Sequence, residues 1–163
     1  MEVKNLLRRA ISHLSFAMSL CEMQLKAGRY FVFEHPKTAK SWHMTCVNKV
    51  MKLPGVIRVN VDMCMFGMKT TNEEGEAVHA LKPTGLLTNS LQLAKRMAKH
   101  GTCDRSHSHG QLIGGRAKAC EVYPRDFCMH LCMGLKDQLN HDRLMKNTKG
   151  GSDVTSLFAG LVK

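Results

Sequence analysis

Cys103-x-x-x-His107-x-His109 places one thiol and two imidazoles in a short stretch that also holds Gly101, Gly110, Gly114 and Gly115. Thiolate and imidazole are ligands that zinc prefers, and a glycine-rich loop can bend three of them around one ion. Cys64 is the natural fourth ligand if the segment carrying it abuts this loop. The set reads as a structural zinc clip; the alternative is a polar loop with exposed histidines and a half-buried Cys103. Arg105 within the stretch, and Arg116 and Lys118 after it, suit contacts to phosphate. A second group of chemical interest is Glu34-His35-Pro36, which follows the apolar run Tyr30-Phe31-Val32-Phe33. In open α/β sheets ligands bind beyond the carboxyl ends of strands. Pro36 stiffens the exit and holds the residue before it extended. Glu34 and His35 are therefore candidate catalytic residues at an active-site edge, the alternative being a capped strand end that meets solvent.

The elements that must position these groups follow from periodicity. Val3, Leu7, Ile11, Leu14, Met18, Cys21 and Leu25 recur at helical spacing and predict a long amphipathic helix closed by Gly28. A strand over residues 30–34 follows. Ala39, Trp42, Cys46, Val50 and Leu53 form a second helical stripe ended by Pro54-Gly55, with Trp42 packing that helix onto the sheet. Residues 56–61 alternate and are β-branched, which predicts a strand. Residues 69–76 read as an exposed loop with turn chemistry at Asn72 and Gly75. The chain returns as a strand through Lys82-Pro83-Thr84-Gly85-Leu86-Leu87-Thr88, and Asn89 or Ser90 is placed to cap a helix over 91–98. A last helix over 125–139 starts after Tyr123-Pro124, a pair that reads as a helix-entry device. Cys128 and Cys132, four apart on that helix, read as core packing. Residues 1–140 form one domain and 141–163 a flexible tail.

Composition bounds the function classes. The chain has 163 residues and 44% hydrophobic content, enough for one packed core. Its formal net charge of +11 favours a partner with a phosphate backbone, although the cations are scattered and fit a solvated lysine-rich surface as well. Seven cysteines without paired spacing argue against a disulfide framework. The sequence has no apolar run near the ~20 residues needed to span a bilayer. Its first residues, Met1-Glu2-Val3-Lys4 and then Arg8-Arg9, do not follow the signal-peptide pattern. The expectation is an intracellular protein, nuclear or cytoplasmic, without a membrane partner.

An ordered set of motifs resembles a module found in retroelement polyproteins and some phage proteins. It comprises Gln24-x-x-x-Gly28-Arg29-Tyr30-Phe31-x-x-Glu34-His35-Pro36-x-x-Ala39-x-Ser41-Trp42, then Asp62-Met63-Cys64-x-Phe66-Gly67 and Lys82-Pro83-Thr84. Thr88-Asn89-Ser90, Cys103 with His107 and His109, and Tyr123-Pro124-x-x-Phe127-Cys128 continue it. The match runs from about residue 12 to residue 135. That module in turn is similar to the C-terminal half of a cytosine-5-type, S-adenosylmethionine-dependent DNA methyltransferase. The resemblance implies a partial Rossmann-like α/β sheet of about three strands, the last pair antiparallel, with helices on both faces. It further implies that Glu34 grips the Watson–Crick edge of a flipped base, as a base-modifying enzyme must. Lys82 is the nearest cation to an arginine usual in this region of such enzymes, and joins Arg105, Arg116 and Lys118 as a nucleic-acid-binding candidate.

The departures from that family bear on activity. No glycine-rich, cofactor-cradling turn precedes Gly28, and the chain contains no Pro-Cys nucleophile motif. Cys21 lies inside a helical pattern with no activating neighbour, which is not the setting of a nucleophile. The expectation is a mobile-element-derived, methyltransferase-like fragment that keeps the target-base side, binds no cofactor alone and is inactive alone. Two alternatives stand beside it: a small basic nucleic-acid-binding domain stapled by zinc, and a decayed remnant without activity. Residues 30–34 are expected as the central strand, flanked by 56–61 and then 85–88. An unpaired edge on that strand would invite self-association or pairing with an upstream N-terminal half.

Overall fold

The computed structural model describes residues 2–110, 112–113 and 115–158. The long amphipathic helix forms as α1 (Glu2–Lys26). Its stripe is buried only in the second half: Met18 and Cys21 are in the core, whereas Val3, Leu7 and Ile11 are exposed. β1 spans Val32–Pro36, two residues later than the apolar run suggests, so His35 and Pro36 belong to the strand. Tyr30 stays outside it, and its hydroxyl donates to Asp142. The second helical stripe divides into a 3-10 turn at Lys40–His43 and α2 (Thr45–Met51). β2 covers Ile57–Asp62 and runs into a 3-10 turn at Met63–Phe66. That turn is closed by Gly67 at φ 79°, a conformation that side chains with a Cβ resist.

Residues 69–76, expected as an open loop, instead supply half of a hairpin: β3 (Lys69–Thr71) and β4 (Ala77–Ala80). The turn residues were legible, since Asn72 accepts from the Glu76 amide and Gly75 donates to Asn72. Too few apolar residues flank them to announce strands. β5 follows at Pro83–Thr88 and α3 at Leu91–His100, where Ser90 caps the helix by accepting from the Leu93 amide. β6 is a two-residue strand, His109–Gly110, and α4 is a single turn, Arg116–Ala119. α5 begins at Arg125 and runs to Phe158. From residue 141 the chain continues in this helix to Phe158, and residues 159–163 of the expected tail lie outside the described residues. Elongating a helix already nucleated by packing is far easier than starting one, so Gly/Ser/Thr content is a weak stop signal.

The main sheet has the order β1-β5-β2, with β5 antiparallel to both neighbours. The central strand is therefore β5 and not β1, because β5 returns between the other two and uses both of its edges. Phe33 and Leu87 point to one face, where α1, α2 and Trp42 form a cluster. Val61 and Leu86 point to the other, against Leu93 and Met97 of α3 and Phe127 of α5. The chain is thus a mixed α/β fold with helices on both faces of a three-stranded sheet. A second sheet, β3-β4-β6, pairs β4 with β6 in parallel through His79 opposite His109 and Ala80 opposite Gly110. No helix among the described residues is long and apolar enough to cross a membrane.

Candidate functional site

β5 runs opposite to β1 and β2, so the start of β5 lies beside their carboxyl ends. Thr84 sits opposite Pro36, and Pro83 opposite Asp62. Lys82 and the Asp62-Met63-Cys64 segment therefore gather at one end of the main sheet, while Glu34, opposite Leu86, stands in the middle of β1 and meets Lys82 through Tyr123.

Cys64 reaches this end on the 3-10 turn after β2. Cys103, His107 and His109 arrive on the loop after α3, which is tied down at its base: the Asp62 amide donates to Gly101, and the Cys103 amide donates to Asp62 Oδ2 at 2.8 Å. Arg105 adopts φ 67°, turning the loop so that its amide donates to Cys103 Sγ. Pairing of β6 with β4 fixes His109, and the bend before it brings the His107 ring to 4.6 Å from that of His109. Gly110 makes that pairing feasible, since a Cβ there would sit 2.6 Å from Thr70 Cγ2.

The four ligand atoms of Cys64, Cys103, His107 and His109 lie within 4.8 Å of one another. Cys103 Sγ is 3.6 Å from His107 Nε2 and 3.5 Å from His109 Nε2. Zinc bond lengths of ~2.3 Å to sulfur and ~2.0–2.1 Å to nitrogen put tetrahedral S···N edges at roughly 3.5 Å. The donor set and its spacing therefore suit a tetrahedral ion of borderline softness. Burial, and then the Cys103 thiol beside it, push the Cys64 thiol up to about 12. A divalent ion would supply the positive charge that lets both sulfurs ionise. All seven cysteines are free thiols.

Two residues at this centre were not singled out for it by the sequence reading, although Asp62 stands in one of the motifs. Asp62 is buried and orients the loop through Cys103, while its Oδ1 has no hydrogen-bond partner among the described residues. His79 packs its ring 4.2 Å from that of His107, and its buried Nδ1 is also without a partner. Groups behind the ligands orient them and tune the metal. Asp62 could have been found as the acidic residue two before Cys64; His79 could not, because only strand pairing brings it there.

The two residues of the Glu-His pair part company, because successive residues of a strand face opposite sides. Glu34 is half-buried on the α5 side, where it meets the Tyr123 hydroxyl; burial and then Glu34 hold that phenol well above its usual range. Lys82 stands over the Tyr123 ring at 5.0 Å and donates to the Cys120 carbonyl. His35 lies on the α1 side, stacked on Phe33 and bonded through Nε2 to Ser41 Oγ. It lines an apolar cleft of about 550 Å³ between α1 and the 3-10 turn. Burial lowers its pKa against the partial opposition of Glu34. Glu34 and His35 thus cannot act on one substrate atom.

Of the phosphate candidates, Arg105 and Lys118 are exposed and Arg116 is half-buried. Cys128 and Cys132 are exposed rather than core, because α5 turns other residues, Phe127 among them, inward. Trp42 does pack the second helical segment on the sheet: it is 2% exposed and donates to the Pro36 carbonyl. Cys21 is buried in α1 and its thiol is pushed up by that burial, the opposite of an activated nucleophile. No family model matches the chain, and no curated protein and no solved structure is significantly similar to it.

Proposed function

We propose that this chain is a zinc-stapled, methyltransferase-like module of a mobile element that contacts nucleic acid and does no chemistry by itself. The observation that carries the reading is the collection of its motif residues at one end of the sheet: Asp62, Cys64, Lys82 and the Cys103/His107/His109 loop, with Glu34 farther along β1 joined to the Lys82 corner by Tyr123. Carboxyl ends of strands in α/β sheets are where ligands bind. The antiparallel pairing of β2 with β5 supports the last strand pair that the resemblance implies. In this reading zinc is structural, since four protein ligands leave no open position for substrate. Glu34 presents its carboxylate to a base edge, with Tyr123 and Lys82 shaping the corner around it. The net charge of +11 supplies the attraction to phosphate.

Elemental analysis of the purified chain, with thermal melts with and without chelator, tests the staple. One zinc per chain and a chelator-sensitive melt support it; a metal-free, cooperatively melting chain overturns it. Binding to single-stranded oligonucleotides across a salt series tests the contact. Affinity should fall steeply with salt, and Glu34→Gln should weaken a cytosine-bearing strand more than an abasic one. Equal loss on both strands would remove Glu34 from base recognition. Methyl transfer from S-adenosylmethionine by the chain alone would overturn the non-catalytic assignment.

A further inference from the structure

α3 and α5 pack closely, yet they leave a cleft of about 450 Å³ between them. Lys95, Arg96, Lys99 and His100 enter it from α3, and His130 and Asp137 from α5. Arg96 is already matched, its Nε and Nη2 both donating to Asp137 Oδ2 at 2.9 and 2.7 Å. Lys95 and Lys99 are exposed, one helical turn apart, and neither has an acidic partner in the cleft. Like charges at that spacing repel. The imidazoles of His100 and His130 pack with ring centroids 3.9 Å apart and planes tilted by 60°, and the buried Nδ1 of His130 has no hydrogen-bond partner among the described residues.

Cations in the last turn of α3 are what a helix dipole favours. That accounts for Lys99 and His100, but not for a second imidazole brought against them by α5. The cleft also adjoins the candidate metal centre. Phe66, on the 3-10 turn that carries Cys64, packs against both imidazoles at 5.1 and 6.0 Å, and Gly101 after α3 bonds to Asp62.

We propose that the α3/α5 cleft is a phosphate-binding site, with Lys95 and Lys99 supplying charge and His100 and His130 supplying N–H donors to the anion's oxygens. Its physiological ligand is a phosphodiester of nucleic acid, and that assignment of source rests on the functional reading above. Burial first, then His130, Lys99 and Arg96, keep His100 below its ordinary range, with Asp126 opposing. A bound anion reverses that balance, because an opposite charge favours the protonated ring.

The test uses the full metal-loaded chain. Pyrophosphate is titrated while the His100 and His130 ring protons are followed by NMR, and a short single-stranded oligonucleotide is titrated across a salt series. The variants are Lys95→Gln/Lys99→Gln and, as a charge-matched control, Lys52→Gln/Lys69→Gln; all four lysines are exposed. The proposal expects both histidines to shift and titrate higher with pyrophosphate. The cleft variant should bind pyrophosphate at least ~10-fold more weakly and lose about 1.4 from the salt slope for a single strand, at ~0.7 for each phosphate contact. The control should keep pyrophosphate affinity. Histidine signals indifferent to pyrophosphate, or equal losses in both variants, overturn the site. Pyrophosphate binding without oligonucleotide binding keeps the site and overturns the nucleic-acid source. Oligonucleotide binding unchanged in the cleft variant overturns the nucleic-acid source for this cleft and leaves the functional reading standing.

Discussion

Cys103 is the residue on which the candidate centre turns, since it sits within contact distance of both histidines, accepts from the Arg105 amide at its sulfur and donates its own amide to Asp62. Cys103→Ser is expected to abolish zinc retention and remove the chelator response of the melt. Cys128→Ser, on the exposed face of α5, should leave both unchanged. Elemental analysis and calorimetry of the two variants read this directly. His35 sets a second expectation at this scale. Its native pKa lies below the ordinary 6.5, burial being the larger cause. As pH falls through that value the unfolded chain binds a proton at this ring while the native chain does not, so stability is full above the window and declines within it. His100 is shifted in the same direction. The melting temperature should drop from about pH 7 to about pH 5.5, where few carboxylates titrate. His35→Gln, which keeps a partner for Ser41, should drop less over the same range.

The packing of α3 on α5 sets a contrary expectation at the scale of elements. Replacing a helical glycine by alanine ordinarily favours the helix by up to ~1 kcal/mol. At Gly134 a Cβ would lie 2.8 Å from the Leu93 Cα and 3.1 Å from its Cβ, so the helices must part. Gly134→Ala should destabilise by ~1–3 kcal/mol, as overpacking does. Denaturant melts check the sign: a stabilised variant would show that the contact yields freely. Ser90 joins the same two helices, capping α3 through Leu93 while donating to Gln138 Oε1 of α5. Ser90→Ala should cost about 1 kcal/mol for the cap alone. The cap was legible, because a serine before an apolar helical run is a start signal. The Gln138 contact was not, since it depends on where α5 crosses.

Across the whole molecule, the free edge of β1 is the feature with consequences for assembly. Phe31, Phe33, His35 and Lys37 point their amides toward β5 or the turn after it, as the Phe31 donation to Asn89 and the Lys37 donation to Pro83 show. Val32 and Glu34 therefore turn theirs outward. An unpaired edge of this kind is a template for another strand. Sedimentation should show self-association in the micromolar range. Val32→Pro removes an outward N–H while leaving the β5 side intact, and should shift the chain to monomer. A wild-type chain that sediments as a monomer at the same concentration would sink the idea.

The amino-acid sequence by itself determined the local framework: the first helix, three strands read at 30–34, 56–61 and 82–88 and found within two residues of those bounds, the Ser90 cap and the helix after Pro124. These depend on periodicity, β-branching and capping, which act over a few residues. It also singled out Cys64, Cys103, His107 and His109, because their chemistry is written in their types. Tertiary structure alone decided that β5 is central, that 69–71 and 77–80 form a hairpin, and that β6 joins it. Strand order follows from which edges meet across long stretches of chain, and short polar strands gain their stability only from the partner they find. The same applies to His79 beside the candidate ligands and to His130 against His100. Neighbours of this kind are set by the packing of whole elements, and no spacing within one element encodes them.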